Sequence, residues 1–180
     1  MRVVEIKKCK VWLNDTLFFE KDDAVDFSDF AKSLYKFLAI DYAKFYKMDQ
    51  QSKLAFLAAE ILLKDENTLA SDQNIALLFS NTNSSLESDR IHHNAIQDKD
   101  DIFPSPAVFV YTLANICLGE VSIRHHLKTE SAFFISNEFN EKQLTDYANY
   151  LIKNNRSKKV VVAWVDYLLG NYEVKMNLIE

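Results

Sequence analysis

The sequence predicts an α/β fold in which helices cover a mixed, mostly parallel, five-stranded sheet, and three observations predict it. Apolar residues recur at helical spacing in two long segments. Short apolar runs of strand length stand between helical stretches, and the two kinds of segment alternate in the order βαβαβαββ. Such units place a parallel sheet under crossover helices, and a closing hairpin adds an antiparallel edge. With no internal repeat, low-complexity run or linker, the 180 residues read as a single domain spanning 1–180.

Residues 3–13 (VVEIKKCKVWL), rich in β-branched and aromatic types, predict the first strand. The polar stretch 14–29 reads as an excursion before a helix carried by Phe30, Leu34, Phe37 and Leu38. Asp49 stands as an N-cap before a helix in which Leu54, Leu57, Ala58, Ile61 and Leu62 fall at i, i+3, i+4, i+7 and i+8. Residues 74–80 (NIALLFS) suit a buried strand. A polar helix is expected over 85–98, and Pro104 and Pro106 rigidify the start of the next element. Phe109, Leu113, Ile116, Cys117 and Ile123 recur at near-helical spacing, with Gly119 as a close-packing point or a break. SAFFIS (131–136) is strand-like. Leu144, Tyr147, Ala148, Leu151 and Ile152 mark another helix, whose end is suited by the cations of 153–159. Residues 158–167 read as a central strand, and Gly170-Asn171 offers turn chemistry before a last alternating strand.

Composition narrows the function classes. With 21 basic and 26 acidic side chains, a net charge of −5 and 48% apolar residues, neither a disordered chain nor a basic nucleic-acid-binding domain is expected. Only Gly119 and Gly170 are present, where average usage of about 7% would supply roughly a dozen glycines. Neither GxGxxG nor a P-loop can be written with them, so no nucleotide cofactor is expected, and no other cofactor is implied. Cys9 and Cys117 are isolated thiols in a sequence without a signal-peptide pattern, which reads as a reduced, cytoplasmic compartment. The most apolar runs, at 54–63 and 160–165, fall far short of the ~20 residues a membrane helix needs.

Several segments carry a family resemblance. Residues 103–136 (FPSPAVFVYTLANICLGEVSIRHHLKTESAFFIS) are similar to the ketosynthase segment with its serine-proline, threonine-leucine-x-asparagine, glycine and isoleucine-rich helix. KMDQQSKLAFLAAEILLKD (47–65) resembles that family's lysine-methionine-aspartate helix. IALLFSNTNSSLESD (75–89) looks like its strand and serine-leucine-glutamate loop, and VVVAWVDY (160–167) like its strand ending in an acidic residue. The resemblance is to the N-terminal domain of the β-ketoacyl synthase (thiolase-like) family, and it covers roughly residues 1–178. It implies half of a thiolase-like fold, truncated, with no counterpart of the two family histidines that belong to the second half. It also places the family's nucleophilic cysteine in an elbow between a strand and a helix, which reads Asn137-Glu138-Phe139-Asn140 here. Glu138 or Phe139 stands at the cysteine's place, and neither can hold an acyl thioester.

The expected function is therefore non-catalytic: an accessory or chain-length-factor-like subunit in acyl-carrier-protein-dependent fatty-acid, polyketide or aryl-polyene biosynthesis, without cofactor or covalent acyl intermediate. Two alternatives stand beside it. Glu138 is the weak catalytic candidate for a residual thioester decarboxylase or hydrolase, although a carboxylate beside a helix N-terminus also serves as a cap. The chain is otherwise a self-associating structural module. Lys153, Arg156, Lys158 and Lys159 are candidates for docking an acidic acyl carrier protein, or form a solvated helix end. Phe109, Tyr111, Phe133 and Phe134 are candidates for an association surface in a homo-oligomer or in a heterodimer with a full-length ketosynthase, or belong to an internal core. Cys117 reads as a small buried hydrophobe. His92, His93, His125 and His126 lack metal-ligand spacing and read as packing or surface residues.

Overall fold

A computed structural model of the chain describes residues 2–22, 25–69, 74–97 and 104–180. Asp23 and Ala24 of the expected excursion, Asp98 at the end of the expected polar helix, and Phe103 lie outside these residues. The N-terminal segment is a three-stranded meander of β1 (Arg2–Lys7), β2 (Lys10–Leu13) and β3 (Thr16–Glu20). There follow α1 (Phe27–Phe37), a short 3-10 helix at Ala43–Lys47, α2 (Gln50–Leu62), β4 (Ile75–Asn81), α3 (Leu86–Ile96) and α4 (Pro106–Val110). The rest is α5 (Ile116–His125), β5 (Ser131–Ile135), α6 (Glu141–Lys153), β6 (Lys159–Leu168) and β7 (Asn171–Ile179).

The described strands form one sheet of seven in the order β3-β2-β1-β7-β6-β4-β5. β4 lies parallel to both β5 and β6, while β6–β7, β7–β1, β1–β2 and β2–β3 are antiparallel. The expected α/β class holds, and within the five expected strands β1, β4, β5 and β6 share one direction with β7 reversed among them. The sheet is nevertheless larger than the expected five strands, and most of its neighbouring pairs are antiparallel. The added strands come from the first segment: Lys8 and Cys9 have φ of 47° and 57°, and Asn14 and Asp15 have 50° and 63°. Both are two-residue turns with positive φ at both positions, which suits the twist of an antiparallel hairpin. The chain therefore turns back in the middle of the expected first strand, and TLFFE pairs onto β2.

Alternation along the strands splits the core across the sheet. On one face Val4, Ile6, Leu77, Phe79, Val161, Ala163, Val174 and Met176 pack under α1, α2 and α5. On the other, Ala76, Leu78, Val160 and Val162 meet Leu144, Ala148 and Leu151 of α6. β4 is buried at every position because it has neighbours on both edges and helices on both faces. Burying a side chain such as Phe56 or Phe79 contributes roughly 1.5–3 kcal/mol each. Ala148 is fully buried in the layer between α6 and the sheet, and a leucine there would overpack it at a cost of about 1–3 kcal/mol. Asp26, Asp49, Ser105 and Asn140 cap their helices through side-chain oxygens that accept a backbone N–H three residues on. No helix among the described residues is long and apolar enough to cross a membrane.

Candidate functional site

In an open α/β sheet, ligands favour the crevice beyond the carboxyl ends of co-directed strands. Here that edge gathers the loop after β4, the elbow after β5 and the end of β6. A cleft of about 940 Å³ opens there, with Asn83, Trp164, Asp166, Tyr167 and Tyr172 on its walls. Asp166 fixes the loop after β4: its Oδ1 accepts the N–H of Thr82 at 3.1 Å and of Asn83 at 3.0 Å, and its Oδ2 accepts the Asn83 amide at 2.6 Å. Asn81 closes the same loop by accepting the Ser84 N–H at 3.0 Å and donating to the Ser84 carbonyl at 2.8 Å, which holds Ser84 at φ 52°. The Asn81 amide also donates to Gln51, whose own amide reaches Cys117 Sγ at 3.6 Å. This network ties the sheet edge to α2 and α5.

The elbow itself holds no sulfur. Ser136 anchors it, with its N–H donating to the Asn81 carbonyl at 2.9 Å and its hydroxyl to the Glu138 carbonyl at 2.8 Å. The Phe139 ring is half-buried and lies 6.0 Å from Trp164, with the Lys175 ammonium 6.0 Å over its face. Glu141, in the first turn of α6, accepts from Lys175 at 3.0 Å and from Asn177 at 2.8 Å, so the helix start is pinned to β7. Glu138 is exposed. Both cysteines lie elsewhere: Cys9 is in the β1–β2 turn, and Cys117 is on α5 at 2% exposure, where burial pushes its thiol up to about 12. At neutral pH that sulfur is a protonated thiol, not a nucleophilic thiolate.

The other sequence-predicted residues fall in three places. Lys153, Arg156 and Lys158 are exposed at the carboxyl end of α6, whereas Lys159 is held by Glu66 at 3.1 Å and Glu180 at 2.8 Å. That end is about 20 Å from the elbow, because α6 has 13 residues and rises about 1.5 Å per residue. Phe133 packs on the α2 side of the sheet and Phe134 on the α6 side, both half-buried on the edge strand β5. Phe109 is exposed on α4, but Tyr111 turns inward, at 9% exposure, and its hydroxyl donates to Glu120 at 3.0 Å. Among the described residues no group of three or more His, Cys, Asp or Glu side chains is placed to hold a metal.

Two ionic clusters escaped the sequence reading. Glu120, buried on α5, receives the Tyr111 hydroxyl and the Lys44 ammonium, the latter at 2.6 Å. Burial and then the Glu120 charge push the Tyr111 hydroxyl up. Glu60 on α2 receives Arg124 at 2.7 and 3.1 Å, and His125 Nε2 lies 3.2 Å away. Burial acts to raise the Glu60 carboxyl, but the hydrogen bonds and charges of His125 and Arg124 outweigh it and hold the group at about 2. The spacing of Cys117, Glu120, Val121 and Arg124 along one helical face was the available signal.

No protein-family model matches the sequence, and no curated protein matches it. Solved structures do. The whole chain superposes on 77% of a chain of a ketosynthase in complex with its chain length factor from Xenorhabdus doucetiae, at a TM-score of 0.66 and 15% identity. The fold is the ketosynthase fold. The ishigamide ketosynthase/chain length factor matches at 0.71 with 15% identity, over 99% of this chain and 60% of that one. A type II polyketide synthase acyl-carrier protein in complex with its ketosynthase matches at 0.68 with 14% identity, over 99% and 62%. This chain thus spans less than two thirds of the length of the last two, and at such identity the ketosynthase fold is what the likeness carries.

Proposed function

We propose that this chain is a non-catalytic ketosynthase-like protein that serves as a chain-length-factor-like partner of a full-length ketosynthase, in acyl-carrier-protein-dependent fatty-acid, polyketide or aryl-polyene synthesis. One observation supports the reading: in the elbow at the carboxyl edge of the sheet, which this reading takes for the place of a condensing enzyme's thiol, Glu138 is exposed and the Phe139 ring lies against Trp164. A phenyl ring can shape a cavity but cannot form a thioester. The buried, protonated Cys117 offers no substitute.

The partner surface in this reading is the outer edge of β5. Its inner edge pairs with β4, and as the last strand of the sheet it presents an open row of N–H and C=O groups, with Phe133 and Phe134 half-buried on its two faces. The exposed Lys153, Arg156 and Lys158 supply a docking patch for an acidic carrier protein, and a group delivered from there has to span the ~20 Å length of α6.

The test is co-expression with a full-length ketosynthase and a carrier protein encoded beside it, followed by native and intact-mass spectrometry. A one-to-one complex with the ketosynthase, and no acyl mass gain on this chain after incubation with malonyl- and acyl-carrier protein, is the expected outcome. An acyl adduct on this chain overturns the non-catalytic reading. A homodimer that ignores the ketosynthase overturns the partner role in favour of self-association.

A further inference from the structure

The chain leaves α2 to enter β4 and leaves α5 to enter β5, so both helices end at the amino edge of the parallel strands, the opposite end of the sheet from the elbow. A recess of about 600 Å³ lies there, between these ends and the end of α1. That is within the range of roughly 300–1,000 Å³ typical of small-molecule sites. Its apolar walls are Phe18 of β3, Phe37 and Leu38 at the end of α1, Ile40, and Leu63 at the end of α2. Phe37 stays 55% exposed although Phe18 meets its ring edge-on at 5.6 Å and Phe19 lies 4.9 Å away. Exposed apolar surface of this kind, rimmed by polar residues, is a mark of a ligand-binding groove.

The polar lining divides into groups that are already paired and groups that are not. Glu60 accepts from Arg124 at 2.7 and 3.1 Å and lies 3.2 Å from His125, and Glu66 is held by Lys159 at 3.1 Å. Both carboxylates of the lining therefore have their cations. Lys64 and His126 line the same recess with exposed side chains, and among the described residues neither side chain has a hydrogen-bond or ion-pair partner. Cations at helix ends ordinarily serve the last carbonyls. Here that work is done by other groups: the Leu62 carbonyl accepts from Arg2 at 2.9 Å, and the Ser122 and Ile123 carbonyls accept the backbone N–H groups of Leu127 and His126 at 2.9 and 3.4 Å. The recess thus combines apolar walls with unpaired donors and no unpaired carboxylate.

We propose that this recess binds a medium-chain alkyl carboxylate, a free fatty acid, with its chain between Phe18, Phe37, Ile40 and Leu63 and its carboxylate between Lys64 and His126. The alkyl chain supplies affinity in proportion to the apolar area it removes from water, and the head accepts charge-assisted hydrogen bonds. Arg124 stays with Glu60, since leaving that carboxylate half-buried and unpaired would oppose binding. The site lies at the far end of the sheet from the elbow and does not depend on the chain's role beside a ketosynthase.

Hexanoate, octanoate and decanoate, each below its micelle concentration, are titrated into the isotope-labelled full chain and followed by NMR. Saturable shifts are expected at Leu38, Ile40, Leu63 and His126, with Kd falling roughly threefold to fourfold for each added methylene. Decyltrimethylammonium, the same chain with the opposite head charge, is expected to bind at least about tenfold more weakly than decanoate. Lys64→Glu is expected to melt like the wild type, because Lys64 has no partner to lose, and to weaken decanoate binding by about fivefold to tenfold. Shifts that scatter over the surface, fail to saturate or show no dependence on chain length overturn the proposal. Equal binding of the ammonium overturns the choice of an anionic ligand, and an unchanged decanoate Kd in folded Lys64→Glu overturns the placement of the carboxylate.

Discussion

Replacing Glu60 by Gln removes the anion that Arg124 and His125 share between α2 and α5, and the size of the effect can be worked from the structure. The carboxyl sits at about 2 against an ordinary 4.5. That gap corresponds to a ceiling of ~3 kcal/mol at about 1.4 kcal/mol per pH unit. The Arg124 side chain remains 29% exposed, so solvent screening lowers the contribution to about 2 kcal/mol. Because the folded value is depressed, this stability is fully present above 4.5 and is lost as pH falls from 4.5 towards 2. Glu60→Gln should therefore cost about 2 kcal/mol at pH 7, or roughly 4–8 °C in Tm for a chain of this size. By about pH 3 more than half of the difference from wild type should have vanished. Urea melts of both proteins at a series of pH values measure it. A wild-type advantage that is the same at pH 7 and pH 3, or that is absent at pH 7, would refute the reasoning.

Three further expectations follow from single contacts. Tyr111→Phe removes the hydroxyl that donates to the buried Glu120 and should cost about 1.5–3 kcal/mol by denaturant melts, the range for a hydrogen bond to a charged group; a loss below ~0.5 kcal/mol would mean that Lys44 satisfies Glu120 alone. Asp166→Ala leaves two backbone N–H groups and the Asn83 amide without their acceptor, so amide exchange at Thr82 and Asn83 should accelerate while the core of β4 stays protected. Cys117, with its thiol pushed up to about 12, should resist iodoacetamide at pH 8 in the native protein and react fully in urea; labelling at equal rates in both states would contradict its burial.

The sequence made α2 and α6 legible because their apolar residues follow the helical period closely, and the β6–β7 hairpin because Gly170 marks a turn, although the two turn residues are Leu169 and Gly170, with φ of 50° and 80°, and Asn171 already pairs with Leu168 as the first residue of β7. The β1–β2 turn was hidden for the opposite reason. Lys8 and Cys9 carry no turn signature, and their positive φ values are imposed by the pairing of flanking strands, a tertiary effect. Strand order was equally invisible, since the register that joins Lys7 to Glu173 connects residues far apart in the chain. At the candidate site, the elbow residues 137–140 and the acidic end of β6 stood in the sequence, but that Asp166 grips the loop after β4 emerged only with the structure. Glu60 and Glu120 look like ordinary surface carboxylates until Arg124, Tyr111 and Lys44 are folded against them.

β7 occupies the middle of the sheet, fourth of seven, and joins the meander of β1, β2 and β3 to the parallel block of β6, β4 and β5. The keystone is therefore made after the six other described strands. During synthesis the opening hairpins leave the ribosome with one flank unclaimed, and they stay so until residues 171–179 emerge to zip them to the remainder. Such late, long-range closure favours slow acquisition of structure and a nascent state that benefits from chaperone shelter.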